Sequence, residues 1–233
     1  VDVMDNNIEG TLHTMSEGLL STGVTSFLPT TLTSSYEQLL AVTENIGARY
    51  QEASGAKIRG IYFEGPYFTE KYKGAQNPAY MKDPRMDEFR AWQKAANGLL
   101  NKIALAPERE GVEDFVRTLT GEGVTVALGH SNATFDEAKK AVDAGASVWV
   151  HAYNGMRGLT HRELGMVGAM YQLPHTYAEL ICDGHHVDPK ACDILLKQKG
   201  TENIALITDC MTAGGLEDGD YMLGEFPVVV ANG

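Results

Sequence analysis

The sequence predicts an α/β fold, a parallel sheet closed into a TIM-type (β/α)8 barrel. Strand-like and helix-like segments alternate about seven times along the 233 residues, which is the pattern of parallel α/β proteins. The strand-like runs are almost entirely apolar, as expected for strands covered on both faces. Reactive side chains follow these runs, and a barrel gathers its strand ends on one face. These side chains are Glu64, Glu108, His130, His151, Asp183 and Asp209.

Seven short apolar runs are the predicted strands. They are residues 24–28, 58–63, 103–105, 124–128, 148–150, 177–181 and 204–207. Their lengths are typical of strands and too short for most helices. An open, doubly wound sheet would use the same elements. No glycine-rich nucleotide-binding fingerprint follows the first run, which weakens that alternative.

Helix signals lie between the predicted strands. An apolar stripe at helical spacing is formed by Ile8, Leu12, Met15 and Leu19. The pairs at 35–38 and 134–137 have the spacing of capping boxes, each opening a helix. Asp188 followed by proline predicts a capped helix start, and Gly200 predicts where that helix stops.

The composition is that of a folded protein with an acidic surface. The net charge of −12 repels nucleic acid and anionic membranes, so neither is expected as a partner. No apolar run is long enough to span a membrane. An anionic substrate would therefore depend on local basic groups. The three cysteines have no Cys-x-x-Cys spacing, which predicts free thiols in a reducing compartment.

Three residues of metal-ligand type follow predicted strands. They are Glu64 in Phe-Glu-Gly-Pro, His130 in Gly-His-Ser-Asn and His151 in Val-His-Ala-Tyr. Alone, such a glutamate more often stabilises a turn, and such a histidine is more often a core residue. Together they form a catalytic set that leaves one metal position open for water and lowers the pKa of that water from about 16 toward about 7. Zinc, ferrous iron and manganese all suit these ligands.

Further candidates follow the later strands. Asp209 comes after the last predicted strand, where a carboxylate beside a metal-bound water can take its proton and later protonate a leaving amine. Without the metal set, Asp209 would be assigned to a turn. Arg162 is a candidate anion ligand. Only one of His185 and His186 should face the pocket, because adjacent side chains on an extended segment point to opposite sides.

Six short motifs occur in a specific order along the chain. They are EGP at 64–66, KGAQNP at 73–78, GHSNAT at 129–134, HAYNGM at 151–156, DGHHV at 183–187 and TDCM at 208–211. Together they closely resemble the N-acetylglucosamine-6-phosphate deacetylase family of the amidohydrolase superfamily. Each motif is weak alone, but six in this order are specific, and the resemblance covers essentially the whole chain.

The resemblance implies hydrolysis of N-acetyl-D-glucosamine 6-phosphate to D-glucosamine 6-phosphate and acetate. It assigns Glu64, His130 and His151 as ligands of a divalent metal, with zinc the first expectation and iron or manganese as alternatives. It assigns Asp209 as general base and then general acid. The residues implied to bind substrate are Ala75, Asn154 and Gly155 for the sugar and Arg162 and His186 for the phosphate. The chain departs from the family at Gln76, where histidine is usual.

The resemblance also implies a cytoplasmic homodimer in amino-sugar catabolism or cell-wall recycling. Residues 1–233 would be the barrel domain, truncated at both ends, without the first strand and the small β-domain. In two-metal members that first strand carries a His-x-His motif, so a single-metal site is expected here. Two alternatives remain: another amidohydrolase, such as a deaminase or cyclic amidase, and an inactive sugar-phosphate-binding fragment.

Overall fold

The structure is a computed structural model that describes residues 2–4 and 10–231. The strands are β1 (Ser26–Phe27), β2 (Thr30–Thr31), β3 (Lys57–Ile58), β4 (Ile61–Glu64), β5 (Leu100–Leu105), β6 (Thr125–Leu128), β7 (Val148–Trp149), β8 (Tyr177–Ile181), β9 (Ile204–Ile207), β10 (Gly219–Leu223) and β11 (Phe226–Val230). The helices are α1 (Thr11–Ser21), α2 (Tyr36–Arg49), α3 (Met86–Ala95), α4 (Val112–Gly121), α5 (Phe135–Asp143), α6 (Gly165–Gln172) and α7 (Pro189–Lys199).

A seven-stranded parallel sheet forms the centre of the fold. Its strands follow the order of the chain, β2–β4–β5–β6–β7–β8–β9. A doubly wound sheet reverses its order at a switch point, so the unreversed order excludes that alternative for this sheet. The predicted parallel α/β architecture is confirmed as a curled sheet. Within the described residues, β2 and β9 are its two edges.

The two faces of the sheet carry different cores. Side chains such as Phe63 and Trp149 join a large apolar core that also contains helical residues such as Trp92. A smaller cluster on the inner face contains Tyr62, Phe68, Ala104, Ala127 and Val150. Because side chains alternate along a strand, Glu64 shares the inner face of β4 with Tyr62. This alternation directs the Glu64 carboxylate toward the inside of the curled sheet.

A charged pair lies on the same inner face. Lys102 of β5 and Glu179 of β8 form an ion pair, and both side chains are largely buried. The Lys102 ammonium group also lies 4.0 Å from the centre of the Tyr62 ring. Burial first, and then the charges of Glu64, Glu179 and Asp209, raise the pKa of Tyr62. The phenol therefore stays protonated inside the sheet.

The first two predicted strands differ from the observed ones. The run at 24–28 contains β1, which pairs with β3 in a separate two-stranded sheet. The main sheet instead begins with β2, two threonines that carry no apolar signal. The run predicted at 58–63 is split between β3 and β4. Gly60 lies at the break, where an added Cβ would fall 2.2 Å from the Asn101 side chain.

The capping predictions are largely correct. Thr134 and Glu137 form a complete capping box at α5. Ser35 caps α2, but the Gln38 side chain donates to the Met4 carbonyl instead of closing the box. Asp188 caps α7, which ends at Gly200. Of the predicted apolar stripe, Leu12, Met15 and Leu19 lie in α1, and Ile8 lies outside the described residues.

Strands β10 and β11 form an antiparallel hairpin beside the main sheet. At its turn, Glu225 accepts a hydrogen bond of 2.7 Å from the Asn77 amide. A cavity of about 280 Å³ lies between this turn and residues 32–35. All three cysteines are free thiols. None of the helices in the described ranges has the length and apolar character needed to cross a membrane.

Candidate metal centre

Three buried donor atoms converge at the strand ends. Oε1 of Glu64 lies 2.9 Å from Nε2 of His130 and 3.4 Å from Nε2 of His151. The two histidine nitrogens are 3.0 Å apart. One ligand atom from each residue falls within 4.8 Å of the other two. The structure thus brings together the three residues that the sequence predicts as metal ligands.

The second nitrogen of each ring shows how the imidazoles are oriented. Nδ1 of His130 lies 2.9 Å from the Tyr72 carbonyl oxygen, and Nδ1 of His151 lies 3.1 Å from the Asn154 carbonyl oxygen. Since a carbonyl only accepts, each Nδ1 carries the proton, and each neutral ring presents a lone pair at Nε2. Two lone pairs and a carboxylate oxygen therefore face the same small space, as in a cation site.

The charge balance of the triad also favours a cation. Burial raises the pKa of Glu64, but its contacts with His130 and His151 outweigh burial and hold that pKa well below its usual value. Burial lowers the pKa of His151, and the contact with Glu64 reverses that effect and raises it. The pocket thus contains a firmly ionised carboxylate and stabilises positive charge next to it. A divalent metal ion would supply that charge.

Backbone strain marks Tyr153, with a φ of 77°, and three further residues of this region. His130 has a φ of 44°, His151 of 31° and Asp209 of 51°. These values lie in the left-handed region, which residues other than glycine seldom adopt. Such conformations persist only where the surrounding structure enforces them, and they cluster at functional sites. The three further residues are all ones that the sequence singled out for chemistry.

The loops that carry the two histidines are joined by backbone hydrogen bonds. Ser131 N donates to Gly155 O at 2.9 Å, and Arg157 N donates to Ser131 O at 3.0 Å. The loop after Glu64 joins them through Thr69 N, which donates to the His130 carbonyl oxygen at 3.1 Å. A displacement of one loop would therefore move the others, which fixes the spacing of the three donors.

Glu108 holds these loops together from outside the triad. Its Oε1 accepts hydrogen bonds of 2.7 Å from Thr69 Oγ1 and Asn132 N, and its Oε2 accepts one of 2.7 Å from Ser131 Oγ. The sequence marks Glu108 only as a polar residue after a strand. Its partners come from two other loops, so sequence reasoning did not predict this role.

Asp209 lies at the edge of the site in an exposed segment after β9. Partial desolvation first, and then the negative charge of Glu64, raise the pKa of Asp209. The negative charge of Asp209 in turn raises the pKa of His151. Among the described residues, no hydrogen bond joins Asp209 to the triad. It is therefore close enough to interact with the triad electrostatically but remains accessible.

The predicted sugar-binding residues lie on two sides of the triad. The Asn154 amide donates to the carbonyls of His151 and Ala152, each at 3.3 Å. Gly155 has a φ of 59°, and an added Cβ there would lie 2.9 Å from Nδ1 of His130. Only glycine fits against the ring without displacing it. Ala75 lines the cavity beside the hairpin turn.

The predicted phosphate ligands, Arg162 and His186, are both exposed. His186 is held by Asp183, whose Oδ2 lies 2.7 Å from its Nδ1. Backbone hydrogen bonds from His186 and His185 are the main cause of a lowered pKa at Asp183. In the described part of the chain, Arg162 makes no hydrogen bond. The structure does not bring either residue into contact with the triad.

The curled parallel sheet and the buried carboxylate–dihistidine centre fit the amidohydrolase class. Within that class the chain is similar to named deacetylases. It is 43% identical over 233 residues to the N-acetylglucosamine-6-phosphate deacetylase of Vibrio furnissii, covering 100% of this chain and 58% of the relative. It is 42% identical over 224 residues to the N-acetylgalactosamine-6-phosphate deacetylase of Escherichia coli O157:H7, covering 96% of this chain and 59% of the relative.

Solved structures agree with the sequence comparison. The N-acetylglucosamine-6-phosphate deacetylase of Thermotoga maritima matches with a TM-score of 0.90 at 32% identity, covering 100% of this chain and 62% of that one. The D267A mutant of the Mycobacterium smegmatis enzyme, solved with N-acetyl-D-glucosamine-6-phosphate, has a TM-score of 0.86 at 34% identity, covering 90% and 54%. No protein-family model matches.

These comparisons confirm the resemblance carried by the six motifs. The chain is homologous, over essentially its whole length, to the amino-sugar-6-phosphate deacetylases of the amidohydrolase superfamily. It spans about 58% of the length of the Vibrio furnissii relative.

Proposed function

We propose that this chain is the metal-dependent catalytic domain of an enzyme that deacetylates N-acetyl-D-glucosamine 6-phosphate. The products would be D-glucosamine 6-phosphate and acetate. The observation that carries the proposal is the convergence of two histidine lone pairs and one carboxylate oxygen in a buried pocket at the strand ends. The relatives named as deacetylases of this sugar phosphate support the choice of substrate.

Glu64, His130 and His151 would hold one divalent metal. When bound, the metal would supply a Lewis acid for the acetyl carbonyl and lower the pKa of a water molecule. Zinc is the proposed ion, and ferrous iron and manganese suit the same ligands. The protein's own contribution is to keep both Nε2 atoms deprotonated, through the Nδ1 contacts with the Tyr72 and Asn154 carbonyls.

Asp209 would move the protons. A carboxylate at the accessible edge of the pocket can take a proton from the attacking water and return it to the amine that leaves. The position of Asp209 at the exposed end of β9 supports this role, since the group must reach both water and substrate. The negative charge of Glu64 raises the pKa of Asp209, and the charge of Asp209 raises the pKa of His151, which supports a place for Asp209 beside the metal ligands.

The substrate would be held by groups on both sides of the centre. Asn154 and Gly155 would contact the sugar next to the histidine rings, and Ala75 would line the pocket. Arg162 and His186 would bind the phosphate, because a planar guanidinium group and an imidazole both donate to phosphate oxygens. A protein of net charge −12 needs such local donors to attract a dianion.

The proposal also covers the domain that the chain forms and its oligomeric state. We infer that residues 1–233 form an amidohydrolase barrel domain and that an eighth strand closes the sheet between β9 and β2. The free edges of the sheet and the greater length of the relatives support this inference. A cytoplasmic homodimer acting in amino-sugar metabolism follows from the family resemblance.

A second candidate substrate is N-acetyl-D-galactosamine 6-phosphate, which differs from the first only in configuration at C4. The observation in its favour is the 42% identity to a relative named for that sugar, against 43% for the relative named for the glucose epimer. The proposed metal and proton chemistry acts on the acetamido group at C2, so both epimers would be hydrolysed by the same groups.

The test is acetate release by the metal-loaded full chain. The panel contains both epimeric 6-phosphates, unphosphorylated N-acetylglucosamine, and substrates of deaminases and cyclic amidases. We expect acetate from the phosphorylated acetamido sugars, with kcat/KM highest for the glucose epimer. A higher kcat/KM for the galactose epimer would make it the preferred substrate. Turnover only of the deaminase or cyclic amidase substrates would contradict the proposal, as would sugar-phosphate binding without hydrolysis.

A further inference from the structure

Gln76 is a buried polar residue whose side-chain amide is hydrogen-bonded at both its nitrogen and its oxygen. The residue is 3% exposed. Its Nε2 donates to Oε1 of Glu64 at 3.1 Å, and its Oε1 accepts a hydrogen bond of 2.7 Å from Thr33 N. The neighbouring Ala75 is exposed and lines the cavity near the hairpin turn. Gln76 is therefore enclosed and directed at a ligand of the candidate metal centre.

The backbone of Thr33 determines which end of the amide faces Glu64. A backbone N–H can only donate, so the amide oxygen of Gln76 must face it. The NH2 group is thereby directed toward Glu64, whose carboxylate can only accept. The reversed amide would bring two donors together at Thr33 and two acceptors together at Glu64. The chain thus supplies a donor of fixed orientation.

This donor acts on the oxygen that matters for metal binding. Oε1 of Glu64 is the atom that lies 2.9 Å from His130 Nε2 and 3.4 Å from His151 Nε2. The terminal torsion of a glutamate is broad, so burial alone does not orient the carboxyl group. One N–H from Gln76 occupies one lone pair of Oε1 and limits that rotation. The other lone pair of Oε1 is then left for a cation held with the two histidine nitrogens.

The neutrality of glutamine suits this position. A lysine or arginine would also hold the carboxylate, but its positive charge would oppose a metal ion a few ångströms away. An amide donates without adding charge, so the full negative charge of Glu64 remains available to a cation. The two requirements, a donor and no charge, are both met by Gln76.

We propose that Gln76 is a positioning residue that orients Glu64 for metal binding and makes no contact with the sugar. The inference rests on the proposed metal site. Outer partners of metal ligands fix the orientation of those ligands, and their loss typically weakens metal affinity about 10- to 100-fold. The family resemblance implies a histidine at this position, so Gln76 is also a departure from the usual motif.

The experiment measures Co²⁺ affinity of the full chain from the visible absorption of the bound ion, in competition with a chelator. Gln76→Met and Gln76→Leu replace the amide by an apolar side chain of similar size and so remove the donor. Gln93→Leu is the matched control, because both ends of the Gln93 amide bond to the backbone of Leu100, at 2.8 and 3.0 Å, and neither bonds to a residue of the candidate metal centre. We expect affinity to fall about 10- to 100-fold in both Gln76 variants and to change less than about threefold in the control.

Further measurements separate the outcomes. KM for the sugar phosphate, measured on metal-saturated protein, should stay near the wild-type value in both Gln76 variants. A raised KM with unchanged Co²⁺ affinity would make Gln76 a substrate contact and overturn the inference. Loss of folded circular dichroism in both variants would make its role structural and would also overturn it. If the wild type bound no Co²⁺, the proposed metal site itself would be wrong, whereas equal affinity in all proteins would refute only the positioning role.

Discussion

Two regions of the sheet carry the candidate functional residues, and they are built differently. At the ends of β4, β6 and β7, Glu64, His130 and His151 are 5%, 7% and 3% exposed. At the ends of β8 and β9, His186 and Asp209 are exposed. The partner of His186 is Asp183, three residues away in the same loop. Hydrogen bonds between different loops hold the first region together, whereas the described contacts of His186 in the second region lie within its own loop.

The difference follows from what each region has to do. A metal site requires donor atoms held within a few tenths of an ångström, which needs buried loops with shared hydrogen bonds. Groups that bind a phosphate or move a proton must be reached by substrate and can complete their geometry when it binds. The buried region therefore prepares the metal centre in advance, and the exposed region is free to adapt to the ligand.

The largest expected effect comes from the exposed region. Asp209→Asn keeps the shape of the side chain but removes its ability to accept a proton, so the rate of acetate release should fall by about 10² to 10⁴. Metal content should stay at the wild-type level, because Asp209 is outside the triad. Asp220→Asn, at an exposed position of β10, is the control and should be fully active. Near wild-type activity in Asp209→Asn would remove this residue from the mechanism.

A smaller effect is expected at the proposed phosphate ligand. A charge-assisted contact contributes about 1.5–3 kcal/mol, so Arg162→Ala should reduce the preference for phosphorylated over unphosphorylated sugar by roughly ten- to a hundredfold. The measurement is kcat/KM for both sugars. Arg117→Ala, an exposed arginine of α4 paired with Glu113, is the control. An equal loss for both sugars would mean that Arg162 supports the fold.

Metal binding by the buried region can be weakened by a substitution at a residue that is not a metal ligand. Glu108→Ala removes three hydrogen bonds of 2.7 Å that join the loop after Glu64 to the loop of His130. We expect the metal dissociation constant to rise about tenfold, at the lower end of the range for outer partners, because Glu108 acts on the loops and not on a donor atom. Glu110→Ala, in an exposed neighbouring position, should leave it unchanged. Unaltered metal affinity in Glu108→Ala would show that the loops keep their spacing without this carboxylate.

The smallest effect compares one helix cap from each region. Thr134→Ala at α5 and Asp188→Ala at α7 each remove a side-chain cap. Each should lower stability by about 1 kcal/mol and the unfolding midpoint by about 2–4 °C in thermal melts. Thr134→Ala should also weaken metal binding slightly, since α5 begins directly after the His130 loop, whereas Asp188→Ala should not. The reverse order of metal affinities would contradict the contrast between the two regions.

The sequence identifies the proposed metal ligands more readily than the residues that hold those ligands in place. Glu64, His130 and His151 can be found because each follows an apolar run and lies in a recognisable motif. The roles of Glu108 and Gln76 depend on partners 24 and 43 residues away, Asn132 and Thr33, and no local pattern reports such contacts. The Gln76 side chain is directed at Glu64, whereas the neighbouring Ala75 lines the cavity beside the hairpin turn.

The fold was predictable to a similar degree. Alternating apolar runs and capping signals identify the parallel sheet and the starts of α5 and α7. The first strand of the main sheet is only Thr30–Thr31, and its short polar sequence carries no strand signal. The more apolar run at 24–28 leads instead into a minor sheet. Pairing with β4 makes residues 30–31 a strand, so their place in the sheet depends on tertiary contacts.

The most direct test of the central claim is the metal content of the purified full chain, measured by elemental analysis together with acetate release. We expect one divalent ion per chain in the wild type. We also expect ion and activity to be lost together in Glu64→Ala, His130→Ala and His151→Ala. A wild-type chain that releases acetate at an undiminished rate after its metal has been removed would contradict the account, as would variants that retain one ion per chain.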